Sequence, residues 1–257
     1  MKKSLIALAL VSAFAAPAFA EEAAPAAAPA LTGNIALTSN YVFRGISQSQ
    51  NKPALQGGFD YNHASGLYVG IWASNVGWVD AGGYKANNSL ETDFYAGYKG
   101  AFAEDFTFDV GAIKYYYPGT AVAGAATPDT IEGYVAIGWK FVTLKYSHTL
   151  SEYMVGWRGA NGENSRNSNY LDLSANYDLG NGWGINGHVG HQEIKNVAEA
   201  SYTDWKLGVT KDIGYGVVGL SYTDTDAPSC NKDAVTYCWN KKSVANPAAI
   251  LSFTKTF

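Results

Sequence analysis

The residues of this chain that could do chemistry are charged side chains that recur on one parity of alternating segments. Arg44, Asp60, Glu91, Asp93, Asp109, Glu132, Lys145, Asp172, His188, Asp204 and Lys206 each stand where a β-strand would turn them away from an apolar neighbour. Seven are acids and three are bases, with His188 taken as neutral. Gathered around a water-filled tube, such a set would concentrate cations through its net field. In a packed interior, acids and bases would instead pair across the space. Arg44 poses the same choice in one residue. Its guanidinium could be a constriction charge that meets solute, or it could pair bidentately with Glu91 or Asp93 on a nearby strand; one Arg among several acids favours pairing.

Other chemistries find less support. Acyl hydrolysis needs a nucleophile, a base and an orienting group. His148, His188 and His191 could serve as bases, but Ser147 and His148 project to opposite faces of one strand and no G-x-S-x-G occurs. No catalytic residue is assigned and no enzyme is expected. GYGVVG at 214–219 matches G-x-G-x-x-G, yet it follows a turn and enters a strand, so a phosphate would find no helix N-terminus there. Cys230 and Cys238 are the only cysteines. In an oxidising compartment two thiols at this spacing in one connector are expected to form a local disulfide. With no His nearby and no zinc-type spacing, neither a metal nor a cofactor is expected.

These side chains must be positioned by strands. Ile35, Leu37, Tyr41 and Phe43 alternate with Asn34, Thr38, Asn40 and Arg44, and Leu55, Phe59 and Tyr61 with Gln56, Asp60 and Asn62. The pattern recurs at Phe94–Tyr98, Phe106–Val110, Val142–Tyr146, Leu171–Ala175, Trp205–Val209 and Leu251–Phe253, with less regular segments near 66–75, 131–138, 183–192 and 217–224. About twelve strands result. The connectors alternate in length: short at 62–66, 99–105, 139–140, 180–182 and 212–216, and long at 76–88, 118–129, 149–168 and 225–246. Length segregated by side is the mark of an all-β, antiparallel, up-and-down transmembrane barrel spanning residues 31–257. Aromatics suit two interfacial girdles. Tyr61, Tyr98, Phe106, Trp139, Tyr177, Trp183 and Phe257 fall toward the short-turn end, and Trp72, Tyr115, Tyr116, Tyr117, Trp205 and Tyr222 toward the other.

The N-terminus begins with Lys2 and Lys3, continues as an apolar run and ends at Ala18-Phe19-Ala20, which reads as a cleaved signal peptide over residues 1–20. Residues 21–30, rich in Ala and Pro, read as a flexible leader. The composition, with 22 acidic residues against 18 basic ones, has no clustered basic face for nucleic acid.

The run SNYVFRGISQSQNKPALQGGFDY at 39–61, with SGLYVGIWASNV at 65–76, ETDFYAGY at 91–98 and YYYPG at 115–119, resembles the TorF family of proteobacterial outer-membrane porins. The resemblance implies an outer-membrane barrel with a porin role and supplies no catalytic residues. The C-terminal AAILSFTKTF is similar to the assembly signal of such barrels, with Leu251, Phe253 and Phe257 on its apolar parity. The expected partners are outer-membrane lipid, the barrel-assembly machinery and small solutes, in a Gram-negative outer membrane. The expected function is a narrow passive channel for small hydrophilic solutes with mild cation preference. The alternative is a closed barrel whose outer loops, including 161–169 and 230–238, bind a partner or serve a structural role.

Overall fold

A computed structural model describes residues 30–230 and 236–257. The expected signal peptide and all but the last residue of the leader lie outside the described residues. Twelve antiparallel strands close into a barrel. They are β1 (Leu31–Thr38), β2 (Ala54–Asn62), β3 (Leu67–Asn75), β4 (Leu90–Ala103), β5 (Phe106–Tyr116) and β6 (Thr130–Trp139), followed by β7 (Val142–Thr149), β8 (Asn169–Gly180), β9 (Trp183–Glu193), β10 (Tyr202–Asp212), β11 (Val217–Thr225) and β12 (Ala248–Thr256). Each strand pairs with its neighbours in sequence. The seam is made by β1 and β12, from Asn34 opposite Thr256 to Thr38 opposite Ser252. Closure removes the open edges that would otherwise leave backbone donors and acceptors without partners.

Period-two alternation decides what faces outward. Ile35, Leu37, Phe59, Val69, Phe94, Val135, Leu173, Leu207, Leu220 and Leu251 are all exposed on the outer wall. So large a continuous apolar surface has no place in water. The C-terminal parity holds as well, with Leu251, Phe253 and Phe257 all outward and exposed. The connectors segregate as their lengths demand. One end has tight turns at 63–66, 104–105, 140–141, 181–182 and 213–216; the other has long segments at 39–53, 76–89, 117–129, 150–168, 194–201 and 226–247. Lys140, Asn181, Gly182 and Gly214 adopt the positive φ that such turns require.

The structure corrects the sequence reading in three places. The first long-end connector is itself long, because β1 stops at Thr38; Tyr41, Phe43 and Arg44 are therefore not wall residues. Strand β4 runs through Lys99 to Ala103, which carries Lys99 into the barrel interior and confines the turn to 104–105. Trp72, Tyr115 and Tyr117 do not belong to the long-end girdle: Tyr115 and Tyr117 are buried, and Trp72 turns inward to pack on Tyr41, with ring centroids 5.5 Å apart. Tyr116, Trp205 and Tyr222 remain outward there, and all seven rings at the short-turn end are exposed.

Inside the wall, tyrosines lie across glycines of the neighbouring strand. Tyr95 is the register partner of Gly70, Tyr68 of Gly97 and Tyr134 of Gly111. A Cβ on Gly70 would stand 2.5 Å from the Tyr95 hydroxyl oxygen, and one on Gly111 would stand 2.6 Å from that of Tyr134. Only a residue without a side chain leaves room for these rings to lie flat.

Candidate functional site: a plugged lumen

The first long-end connector folds back into the barrel. Val42–Phe43 pairs with Ile46–Ser47, so residues 41–48 form a small hairpin of their own that pairs with no barrel strand. Its two-residue turn is Arg44-Gly45, at φ +47° and +76°. Positive φ at both central residues gives the turn that matches strand twist, at a cost of about 1–2 kcal/mol for a residue bearing a Cβ. Gly45 is required for a second reason: a Cβ there would stand 2.6 Å from Asp204 Cβ. The hairpin tip thus rests on the wall inside the lumen, toward the long-connector ends of the strands.

Arg44 is fixed by the side chains it meets. Its Nη1 donates to Glu132 Oε1 at 3.0 Å and to Gln192 Oε1 at 2.8 Å, and its Nη2 donates to Glu132 Oε2 at 2.7 Å. The guanidinium carbon lies 4.3 Å from the Tyr170 ring centroid and 4.7 Å from that of Phe43. The bidentate pairing expected for Arg44 therefore forms, with Glu132 as the acid in place of Glu91 or Asp93. A buried pair of this kind is near neutral overall, but removing one partner costs about 3–5 kcal/mol because the other is left uncompensated. Glu91 instead accepts from Tyr41 Oη at 2.6 Å, a second link between hairpin and wall. Asp93 is wholly buried between its register partners Trp72 and Tyr115, and neither carboxylate oxygen has a hydrogen-bond partner among the described residues. An unsatisfied buried group of this type costs about 1–3 kcal/mol or more.

Around this level a belt of polar contacts continues. Tyr115 Oη donates to Glu132 at 3.0 Å and Tyr170 Oη to Asp204 at 2.9 Å. His188 lies between Asp172, at 3.0 Å, and Asp204, at 3.7 Å. Arg44, Glu91, Asp93, Glu132 and Asp204 thus meet at one level of the barrel or rest directly on it. Glu91, Asp93, Glu132 and Asp204 are at most 2% exposed although all four face the lumen. Water does not line the barrel at this level, where Arg44 and Glu132 pair across a packed space.

Toward the short-turn end the interior opens. Asp60, Tyr68, Tyr95, Lys99, Asp109, Tyr134, Lys145 and Lys206 are partly exposed, and Asn176 and Asp178 fully so. Tyr95 Oη donates to Asp60 at 2.6 Å and Tyr68 Oη to Asp109 at 2.7 Å, while the Tyr68 and Tyr134 hydroxyls meet each other. Lys145 Nζ stands 4.0 Å from the Tyr134 ring centroid and Lys99 Nζ 5.0 Å from that of Tyr68. The result is a wetted vestibule with acids and cations held on tyrosine faces. Lys99 escaped the sequence reading because Gly100 beside it suggested a turn.

Above the hairpin, the long connectors form a lid with its own apolar core. Trp78 packs against Tyr84, Tyr117 and Trp239, and Tyr237 against Trp157 and Tyr202. Lys85 ties two connectors together through Asp129, at 2.8 Å to both carboxylate oxygens. Burial raises the Tyr117 and Tyr237 hydroxyls well above the ordinary tyrosine range and pushes Tyr84 up to about 12. The last connector carries the expected Cys230–Cys238 disulfide. It holds the hairpin from above: Ser47 N donates to Val244 O at 2.8 Å, Asn51 Nδ2 to Ser243 O at 2.9 Å and Lys242 Nζ to Gln50 O at 2.7 Å. A cavity of about 40 Å³, room for a few waters, remains between Arg44, Gln48, Gln192 and the lid aromatics.

Ser147 faces the interior and is buried, while His148, on the opposite face, meets Tyr146 and Asn167 at 3.1 and 3.2 Å. Among the described residues no three His, Cys, Asp or Glu side chains converge as metal ligands.

Residues 22–257 match the model of a family described as "Bacterial protein of unknown function (Gcw_chp)". No curated protein sequence matches the chain. Among solved structures, the fold is similar to that of the NanC porin, at 11% identity and a TM-score of 0.55, covering 88% of this chain and 98% of that one. It is also similar to the KdgM porin, at 6% identity and a TM-score of 0.53, with 88% and 98% covered. At these identities the likeness is one of fold.

Proposed function

We propose that this chain, which belongs to the Gcw_chp family of bacterial proteins, is an outer-membrane channel for small hydrophilic solutes. The observation that carries the reading is a closed twelve-stranded barrel with an apolar outer wall around a charged, partly wetted interior. A bilayer is the surrounding that such a wall requires, and a folded core has no use for so many ionisable groups. In this orientation the short turns face the periplasm and the lid faces outward. The resemblance of 39–61 and 65–76 to TorF porins belongs to the same proposal. So does mild cation preference, supported by the seven interior acids outnumbering Arg44, Lys99, Lys145 and Lys206.

The buried level beneath the lid favours one second reading, a non-conducting barrel whose outer loops do the work. Single-channel recording of the refolded protein in a planar bilayer, under a salt gradient, separates the two. Discrete conductance steps with a cation-side reversal potential support the channel. An anion-side potential removes the cation preference, and silence from protein shown to be folded favours the closed barrel.

A further inference from the structure

We propose that the hairpin of residues 41–48 is a displaceable gate, latched shut by Arg44 on Glu132 and released by swinging outward about its two stems at 39–40 and 52–53. The inference rests on the channel reading above and names how that channel is regulated.

The hairpin is built to move as one piece. Its own pairing of Val42 with Ser47 and Phe43 with Ile46 is extended by Gln48 N donating to Tyr41 O at 2.7 Å and Tyr41 N to Ser49 Oγ at 3.0 Å. None of these bonds involves the barrel, so all survive displacement. The stems are anchored separately: Ser39 N donates to Leu251 O at 2.8 Å, and Asn75 Nδ2 donates to Pro53 O at 3.3 Å.

The hairpin is held down by a polar latch at its tip and by an apolar seat along its sides, where Ile46 is buried in a cluster with Met154, Ile194 and Tyr202 and Phe43 packs on Tyr115 with ring centroids 5.8 Å apart. The tip offers Arg44 to Glu132 and Gln192, and the side offers Tyr41 to Glu91. One feature weighs against the closed arrangement: Asp93, beside Tyr41 and Trp72, is buried without a donor among the described residues. Displacement would hydrate Asp93. From the other side, the vestibule already brings water up to the belt beneath the tip. Departure of this single element would therefore join the vestibule to the lid region, and the grip of Ser243 and Val244 on the hairpin makes the disulfide-bridged connector the outer half of the latch.

The test uses the full chain refolded into planar bilayers. Glu132→Gln removes the charge that Arg44 pairs with, and the open fraction is expected to rise roughly 150- to 5,000-fold, the range expected when a buried pair loses one partner. A second variant joins Ser47→Cys to Val244→Cys, at positions whose backbones meet where Ser47 N donates to Val244 O at 2.8 Å. Oxidised, it should be silent; reduced, it should conduct, with wild-type protein under the same reductant as the control for Cys230–Cys238. Wild-type conductance from the oxidised variant overturns the gate and leaves the channel reading standing. In a third variant a short Gly-Ser link replaces 41–48. Silence from this protein, folded by its gel mobility, overturns both, whereas steady conductance supports both.

Discussion

Replacing Gly70 with alanine tests the interior lining where its geometry is tightest. The new Cβ would stand 2.5 Å from Tyr95 Oη, a distance no real pair of such atoms tolerates. The ring cannot simply slide along the wall, because its hydroxyl is held at 2.6 Å by Asp60. Either the core is overpacked, at about 1–3 kcal/mol, or the ring leaves and a charge-assisted hydrogen bond worth about 1.5–3 kcal/mol is lost. Alanine recovers about 0.5–1 kcal/mol by stiffening the strand. Whichever route is taken, the net loss is about 0.5–2.5 kcal/mol. Urea unfolding of the refolded protein in lipid vesicles would read this as a lower midpoint at unchanged slope. The decisive control is a cycle with Tyr95→Ala, in whose background Gly70→Ala should be neutral or stabilising. An equal cost in both backgrounds, or a cost below about 0.5 kcal/mol in the parent, would refute the account of the flat-lying ring.

Three further outcomes are expected. Leu207→Arg, on the exposed wall near the middle of β10, should destabilise the protein in bilayers by about 2–4 kcal/mol, as measured by unfolding from vesicles; a neutral effect would argue that lipid does not cover that face. Tyr84 titrates at about 12 against 10 when unfolded, so between those values the unfolded chain loses the proton first. Its contribution to lid stability should therefore fall as pH rises from 10 toward 12, visible as a delayed absorbance change on alkaline titration of folded protein. Reducing Cys230–Cys238 removes a short closed loop that constrains the unfolded connector by about 2.5 kcal/mol, and limited proteolysis should then cut within 226–247 while the barrel stays intact.

How legible all this was in the sequence depends on the physics of each part. The wall was readable because alternation has period two and one face must be apolar, so every strand-borne lumen candidate from Asp60 to Lys206 does face inward. The hairpin was hidden by the same rule. Tyr41 and Phe43 continue the parity of Ile35 and Leu37, so alternation ran through the break at Ser39-Asn40 unmarked. A signal was present: Arg44-Gly45 between alternating residues is a two-residue turn, followed by the polar run Ser47–Asn51 and Pro53. Trp72 and Tyr115 show a different failure. Their parity, shared with Ser74 and Asp109, already pointed inward, and the expectation of an outer girdle overrode it. That Glu132 takes Arg44 could not be read at all, since strand order in space and depth of insertion are set by closure and not by any local pattern.

The sequence separations within the plug constrain the order in which the molecule can be built. The hairpin leaves the chain right after its first strand, yet its anchors arrive much later: Glu132 is 88 positions on, Gln192 148, and the connector that covers it from outside 192. Seating must wait for β6 and β9, and covering must wait for the segment that precedes β12, the strand that closes the wall on β1. Tyr41 can meet Glu91 once β4 is in place, but Arg44 has no counter-charge before β6, so the early chain carries an unpaired guanidinium. Sealing of the bore is therefore among the last events of assembly, coincident with closure of the wall, and a chain truncated before β12 would have neither.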